Sequence, residues 1–158
     1  MEKYKVGLGY DLHRFTEKKD FMLLGGAKIN CGFGLKAVSD GDVALHAVSD
    51  AICGAACLGD IGDYFPPSDK KNQGIESKRI TETILAKIKN NYKIENIDIT
   101  LVAEKPRLVS YKKDITKSLR DIFEISDINL KIKSKEKKEV LGGVGALSCL
   151  AVVLLKSV

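Results

Sequence analysis

The chain has few of the residues on which RNA-binding proteins depend. Aromatic residues make up 6% of its 158 positions, and none lies in the lysine-rich stretch KIKSKEKKE at 131–139. Single-stranded RNA is bound largely by stacking its bases on aromatic side chains. The basic stretch still allows a non-catalytic ferredoxin-like binding module that touches nucleic acid, but the sequence favours a protein with no nucleic-acid partner.

Redox motifs and long apolar runs are also missing. The four cysteines, Cys31, Cys53, Cys57 and Cys149, include no CxxC pair, and Cys53 and Cys57 have the spacing of buried thiols in an apolar helix. The N-terminal residues form a charged, strand-like segment rather than a signal peptide, so we expect no disulfide framework. No apolar run approaches the roughly 20 residues that cross a bilayer. These absences predict a cytoplasmic protein with no membrane partner.

The remaining composition is that of an ordinary globular chain. A length of 158 residues suits one domain spanning 1–158, and 44% of the residues are hydrophobic. The net charge of +5 is modest. It suits anionic small molecules as well as nucleic acid, so it does not decide between them.

The stretch from Ser39 to Pro66 predicts the main helix. Ser39 is a candidate cap and Asp42, three residues later, completes a capping box before a long apolar run. Asp42, His46 and Asp50 are spaced i, i+4, i+8 and so share one helical face. Two carboxylates and one imidazole suit a divalent cation. The alternative is a solvated helix face with an incidental histidine.

Residues 4–15 predict a strand that carries the chain's other histidine. The period of two places Val6, Leu8, Tyr10 and Leu12 on one face and Gly7, Gly9, Asp11 and His13 on the other. Asp11 and His13 point the same way. Together with His46 they would give a tetrahedral zinc ion three ligands and one open position, as catalytic sites require. The strand and the helix must meet in space for this site to form.

The rest of the chain predicts an α+β or α/β layer of three helices and about four strands, with helices on one face of the sheet. Residues 21–29 are expected to form a second strand, and the main helix to end near Leu58. Further helices are expected at 75–92 and 110–124, and strands at 97–103 and 129–135. The apolar closing segment, 146–155, favours helix over strand.

Three strings carry a family resemblance: GYDLH at 9–13, SDGDVALHAVSDAICGAACLGDIGDYFP at 39–66 and VAEKPRL at 102–108. They resemble the 2-C-methyl-D-erythritol 2,4-cyclodiphosphate synthases of non-mevalonate isoprenoid biosynthesis, and the resemblance runs nearly end to end. It implies a single-domain, ferredoxin-like α+β sandwich that forms a homotrimer with active sites between neighbouring subunits. The implied reaction converts 4-diphosphocytidyl-2-C-methyl-D-erythritol 2-phosphate to the cyclic diphosphate and CMP.

The resemblance also implies roles for individual residues. Asp11, His13 and His46 would hold zinc, and Glu136 would hold a second cation, Mg²⁺ or Mn²⁺. The implied substrate-binding residues are Ser39, Asp50, Asp60, Ile61, Gly62, Ala103, Pro106, Arg107, Leu108, Val109 and Ser134. Without the resemblance, residues 60–62 are equally well interpreted as a helix C-terminal turn, Arg107 as an exposed cation at a strand end, and Glu136 as one acid on a basic surface.

The chain departs from the family pattern at two places. Val38 stands where a histidine usually precedes the Ser-Asp pair, so a contact to the 2-phosphate and erythritol must be lost or replaced. Gly143 and Gly145 stand where an arginine and a glutamate line the central cavity of the trimer, which predicts loss of a secondary anion site there. One hypothesis is that Lys133 or Lys135 supplies replacement positive charge near the substrate phosphates.

Two kinds of enzyme, a cyclising phosphoryl transferase and a phosphohydrolase, could use a metal ion held by Asp11, His13 and His46. Intramolecular phosphoryl transfer needs cations and positioning walls but no protein nucleophile, and the sequence offers no plausible Ser/His or Cys/His arrangement. A zinc-dependent phosphohydrolase would instead use a metal-bound water. The two reactions give different products.

Overall fold

A five-stranded mixed sheet sets the layout of the molecule. The computed structural model describes residues 2–136 and 145–158. Its sheet strands, in spatial order, are β4 (Gly34–Leu35), β1 (Tyr4–Thr16), β7 (Ala146–Ser157), β5 (Tyr92–Val102) and β6 (Ile128–Lys133). Strand β7 pairs antiparallel with both β1 and β5, whereas β5 and β6 are parallel. Strands β2 (Phe21–Leu24) and β3 (Ala27–Asn30) form a separate hairpin.

The helices lie on one face of this sheet, as the sequence predicts. They are α1 (Val43–Ala56), α2 (Ile61–Tyr64), α3 (Ser77–Ile88) and α4 (Lys112–Phe123), with 3₁₀ turns at Lys70–Asn72 and Leu108–Tyr111. Helix α1 packs on β1 and β7, and α3 packs on α1. The buried core therefore lies between α1 and the sheet face that carries Gly7, Gly9 and Ala151. No helix in the described part of the chain has the length and apolar character needed to cross a membrane.

The prediction that the closing segment is helical is wrong, because residues 146–157 form the central strand β7. Leu147, Cys149 and Ala151 face the core, and the opposite face is also largely apolar. Such a two-sided apolar run lacks the period of two by which a half-buried strand is recognised. Pairing with both β1 and β5 determines its conformation.

The predicted strand over residues 21–29 is also wrong, since the segment is the β2–β3 hairpin. Gly25 and Gly26 turn the chain with φ of 59° and 79°. Two glycines at positive φ are typical of a two-residue hairpin turn. Their amides donate to the two carboxylate oxygens of Asp42, at 2.8 and 2.7 Å, which ties the hairpin to the start of α1.

Asp42, rather than Ser39, caps helix α1. Its carboxylate also accepts from the amides of Ala44 and Leu45 at 3.1 and 3.0 Å, so it satisfies four backbone donors while fully buried. Burial raises the pKa of Asp42, while the hydrogen bonds from Gly26, Leu45 and Gly25 oppose that rise. The prediction that Asp42 shares a cation-binding face with His46 and Asp50 is therefore wrong for Asp42, because its carboxylate accepts hydrogen bonds from backbone amides instead.

Candidate metal centre and adjoining cavity

Three predicted ligands meet at one point between the sheet and the first helix. Asp11 and His13 come from β1, and His46 comes from the first turn of α1. Asp11 Oδ2 lies 3.1 Å from His13 Nε2 and 2.9 Å from His46 Nδ1. The two histidine nitrogens are 3.4 Å apart. The strand and the helix thus do meet, as the site requires.

These distances fit a divalent cation. Zinc holds nitrogen and oxygen ligands at about 2.0–2.2 Å, which places neighbouring ligand atoms of a tetrahedron roughly 3.3 Å apart. The three ligand atoms already lie close to that separation, within 4.8 Å of one another. Two imidazoles and one carboxylate are a donor set suited to zinc and related metals. Three protein ligands leave a fourth position open.

The local charge keeps the carboxylate ionised. Burial by itself would raise the pKa of Asp11, but the hydrogen bonds and charges of His13 and His46 hold it well below its usual range. Burial likewise works against a charged His46, yet the hydrogen bond to Asp11 raises the pKa of that imidazole. A proton and a metal ion need the same lone pair on His46 Nδ1, so protons compete with metal here.

The backbone fixes the direction of each ligand. The strand period of two sends Asp11 and His13 to the same side of β1 as Gly7 and Gly9. The backbone amide of His46 donates to the carbonyl of Asp42 at 3.0 Å, so this histidine lies in the first turn after the buried cap. The site therefore depends on how α1 begins and on how closely it approaches β1.

A cavity of about 200 Å³ opens beside the three ligands. Its lining includes His13 and His46 and four residues that the sequence analysis singled out, Val38, Ser39, Ile61 and Gly62. The Ser39 hydroxyl lies 3.3 Å from His46 Nε2. Sequence reasoning missed the remaining wall, formed by Ala37, Phe65, Pro67, Asn72, Ile75 and Ile80. A polar loop and α3 supply most of that wall, and apart from Phe65, which stands next to Pro66 at the end of the family string at 39–66, no local motif marked it.

Asp50 and Asp60 organise the short helix at the cavity edge. The backbone amide of Ile61 donates to Asp50 Oδ1 at 2.8 Å. Asp60 caps α2 and forms a capping box with Asp63, so residues 60–62 begin a helix instead of ending one. Burial raises the pKa of Asp50, against the hydrogen bond from Ile61.

The other predicted substrate residues gather at a second place, where two parallel strands end. Val102 pairs with Lys133, so the segments after β5 and β6 leave the sheet at the same edge, and the amide of Ala103 donates to the carbonyl of Lys133 at 3.0 Å. Pro106 and Arg107 follow β5. Leu108 is buried, Val109 is exposed, and Ser134 donates to Glu136 at 2.8 Å. Glu136 is not a member of the Asp11, His13 and His46 group.

The structure does not support Lys135 as a phosphate-binding cation. Its side chain is buried and its ammonium group donates to the carbonyl of Ala146 at 2.8 Å. Burial lowers the pKa of Lys135. Lys133 is exposed. The predicted loss of the central anion site rests on Gly143 and Gly145. Gly143 lies outside the described residues, and Gly145 directly precedes β7.

The mixed sheet, its helical layer and the three ligands beside a cavity define an α+β protein with a candidate metal centre. A family model described as the YgbB family matches residues 4–156. The chain belongs to this family.

Individual relatives agree with the family match. The 2-C-methyl-D-erythritol 2,4-cyclodiphosphate synthase of Clostridium acetobutylicum is 42% identical over 154 residues, which cover 96% of this chain and 99% of the relative. The IspF of Plasmodium falciparum, solved as a complex with CDP, superposes with a TM-score of 0.81 at 33% identity, over 96% of this chain and 95% of that one.

A bifunctional protein gives a third comparison. The IspDF of Campylobacter jejuni matches with a TM-score of 0.93 and 34% identity, over 100% of this chain but 43% of that one. The chain therefore spans less than half of this bifunctional protein, whereas it spans nearly all of the single-function synthases.

Proposed function

We propose that the chain is a 2-C-methyl-D-erythritol 2,4-cyclodiphosphate synthase. The observation that carries this proposal is the convergence of Asp11, His13 and His46 beside a cavity. The cavity lining includes Ser39, Ile61 and Gly62, which match substrate-binding positions of the family. In the reaction, an oxygen of the 2-phosphate bonds to the β-phosphorus of the cytidyl diphosphate. The bond from that phosphorus to the oxygen bridging the α-phosphate breaks, and CMP leaves. No water is consumed and no covalent enzyme intermediate is needed.

The chain's own residues would bind and orient the reacting groups. A divalent ion such as Zn²⁺, when bound, supplies Lewis-acid polarisation of a phosphate oxygen. Ile61 and Gly62 would shape the erythritol pocket, with Ser39, Asp50 and Asp60 at its polar edge. The apolar wall would exclude water from the phosphorus. Holding the two phosphates in line is the main contribution expected of the protein, because phosphoryl transfer depends largely on positioning and charge neutralisation.

The cytidine end would lie against the second group of residues. Ala103, Pro106, Arg107, Leu108 and Val109 would cradle cytosine and the CMP phosphate, with Ser134 alongside. Glu136 would hold the second cation, Mg²⁺ or Mn²⁺, which would neutralise negative charge on the substrate phosphates. The exposed Arg107 guanidinium suits a phosphate contact. Val38 is 44% exposed and contacts the cavity, so the 2-phosphate meets an apolar side chain where the family pattern has a histidine.

Product analysis tests this proposal against a phosphohydrolase. The full chain, loaded with zinc and magnesium, is expected to release CMP and a cyclic diphosphate in equal amounts from the cytidyl substrate. Neither product should take up ¹⁸O from labelled water, since the attacking oxygen belongs to the substrate. Chelation should stop CMP release and added metal should restore it. A linear product carrying solvent ¹⁸O would instead establish the hydrolase.

We further propose that the chain forms a homotrimer. In it, the metal centre of Asp11, His13 and His46 on one subunit would be completed by the cytidine-binding residues at 103–109 of its neighbour. We also propose that the protein is cytoplasmic and has a ferredoxin-like sandwich fold. The outer sheet face supports this assembly. Tyr4, Val6, Leu8 and Tyr10 are 55%, 66%, 65% and 44% exposed, and Val152 continues the same apolar face on β7. A contiguous exposed apolar patch of this kind marks an interaction surface.

Leu8→Glu tests the trimer. We expect sedimentation to show three copies for the unmodified chain and a single copy for the variant, because three carboxylates would be buried together at the interface. Lys3→Glu, a charge change on an exposed residue just before β1, should leave the assembly intact. A Leu8→Glu variant that sediments like the parent would contradict an interface on this face.

A further inference from the structure

A buried hydrogen-bonded chain reaches His46 from the third helix. His46 Nδ1 faces Asp11 and His13. Its other ring nitrogen, Nε2, lies 2.8 Å from the hydroxyl of Ser77, which is closer than the hydroxyl of Ser39 at 3.3 Å. Ser77 is the first residue of α3 and is fully buried. The same hydroxyl forms a short hydrogen bond to the carboxylate of Asp40. Asp40 lies in the family string at 39–66 but was given no predicted role there, and no sequence motif marked Ser77.

The chemistry of these groups determines the direction of each hydrogen bond. A serine hydroxyl has one hydrogen to donate, and an ionised carboxylate accepts only. Ser77 therefore donates to Asp40, and its oxygen accepts from His46. It follows that Nε2 of His46 carries a hydrogen whether or not Nδ1 does. In the neutral imidazole, the free lone pair then lies on Nδ1, the atom that faces the other two ligands.

Asp40 is itself held firmly. One of its oxygens accepts from the amide of Ser77 at 2.9 Å, and the other accepts from the amide of Asp42 at 3.2 Å. Lys19 donates to its backbone carbonyl at 3.2 Å. The residue at the cap position of α3, Glu76, makes no side-chain capping bond. Asp40 thus holds both the amide and the hydroxyl of Ser77, the first residue of α3, from outside the helix.

We propose that Ser77, oriented by Asp40, is a positioning residue that fixes the Nε2–H form of His46 and so presents Nδ1 to the metal. This inference rests on the proposed function of the Asp11, His13 and His46 group as a metal centre. Outer partners of metal-binding histidines fix the tautomer and ring orientation, and their loss typically weakens metal binding about 10- to 100-fold. Ser77 is such an outer partner of His46, and its hydrogen bond to Asp40 orients its hydroxyl.

Zinc affinity of the full-length chain, measured by competition with a chromophoric chelator, tests the proposal. Ser77→Ala is expected to weaken zinc binding about 10- to 100-fold. Ser49→Ala is the matched control, since Ser49 bonds Thr81 at 3.0 Å in the same buried α1–α3 contact and makes no hydrogen bond to His46. It removes one buried hydroxyl, as Ser77→Ala does, and should keep zinc affinity within about twofold of the parent.

A spectroscopic signal separates positioning from general loosening. The chain has two histidines, so the Hε2 resonance of His46 in the zinc-loaded protein can be assigned directly. We expect a downfield, slowly exchanging proton in the parent and in Ser49→Ala. In Ser77→Ala, which keeps the longer contact to Ser39, we expect this proton to move upfield and to exchange faster. Should Ser77→Ala fail to fold, Asp40→Asn removes an acceptor oxygen from the same chain and should weaken zinc binding in the same direction.

The outcomes distinguish the two levels of the proposal. A parent protein that binds no zinc would overturn the metal centre and this inference together. A parent that binds zinc, with Ser77→Ala equal to it or Ser49→Ala as weak as Ser77→Ala, would overturn the positioning role alone.

Discussion

Gly9→Ala is expected to unfold the protein or to cost at least about 3 kcal/mol of its free energy of unfolding. A Cβ at this position would overlap the carbonyl oxygen of Ala47 and lie 2.7 Å from the amide nitrogen of Ala51. Both are backbone atoms of α1, so no side-chain rotation can relieve the clash. The helix would have to move away from β1. Folded domains have only about 5–15 kcal/mol in total, and urea unfolding followed by circular dichroism measures the loss.

The same substitution should also weaken metal binding, because His46 directly precedes Ala47. A helix displaced from β1 would carry His46 Nδ1 away from Asp11, from which it is now separated by 2.9 Å. Gly7→Ala should behave alike, since its Cβ would lie 2.6 Å from the amide nitrogen of Ala55 and overlap the carbonyl of Ala51.

Gly54→Ala is the matched control for this prediction. Gly54 lies on the exposed side of α1, and a Cβ there would meet nothing within 4 Å. Because glycine is a poor helix former, alanine should stabilise the protein by about 0.5–1 kcal/mol. A Gly9→Ala protein as stable as Gly54→Ala would show that α1 does not rest on the glycine face of β1.

The residues that form the candidate centre could be predicted because each lies in an element with a clear local pattern. The alternation of β1 placed Asp11 and His13 on one side, and the apolar run after Asp42 predicted the helix that carries His46. Local pattern did not reveal that two glycines allow the strand and the helix to touch. That contact joins the two halves of the site.

The features that sequence reasoning missed depend on contacts between distant residues. Strand β7 is apolar on both faces, so its period gives no sign of a strand, and its pairing with β1 and β5 is decided in three dimensions. Asp42 has the spacing of a cation ligand but binds the amides of a hairpin 16 and 17 residues away. Ser77 lies 31 residues from His46 in an unremarkable helix start. In each of these three cases the interacting partner is distant in sequence, so the local pattern does not identify it.

The largest functional effect is expected from Asp11→Asn. Oδ2 of Asp11 contacts both histidine nitrogens, and this carboxylate is the negatively charged member of the group. An amide has the same shape but no charge and coordinates metal poorly. Since loss of an outer partner alone costs about 10- to 100-fold in affinity, loss of this ligand should lower zinc affinity by at least about 10³-fold. CMP release at fixed zinc concentration should fall with it.

The fold should survive this change, because β1 and α1 are held together by the packing around Gly7 and Gly9 rather than by the ligands. Circular dichroism and urea unfolding of chelated samples should therefore differ little between Asp11→Asn and the parent, while added zinc raises the stability of the parent alone. Asp121→Asn, a neutralised carboxylate on the exposed side of α4, should match the parent in both assays. If Asp11→Asn kept the parent's zinc affinity, another group would have to hold the ion, and the centre between β1 and α1 would be misassigned. If it lost zinc affinity and kept CMP release, the centre would be structural and the phosphoryl transfer would take place elsewhere.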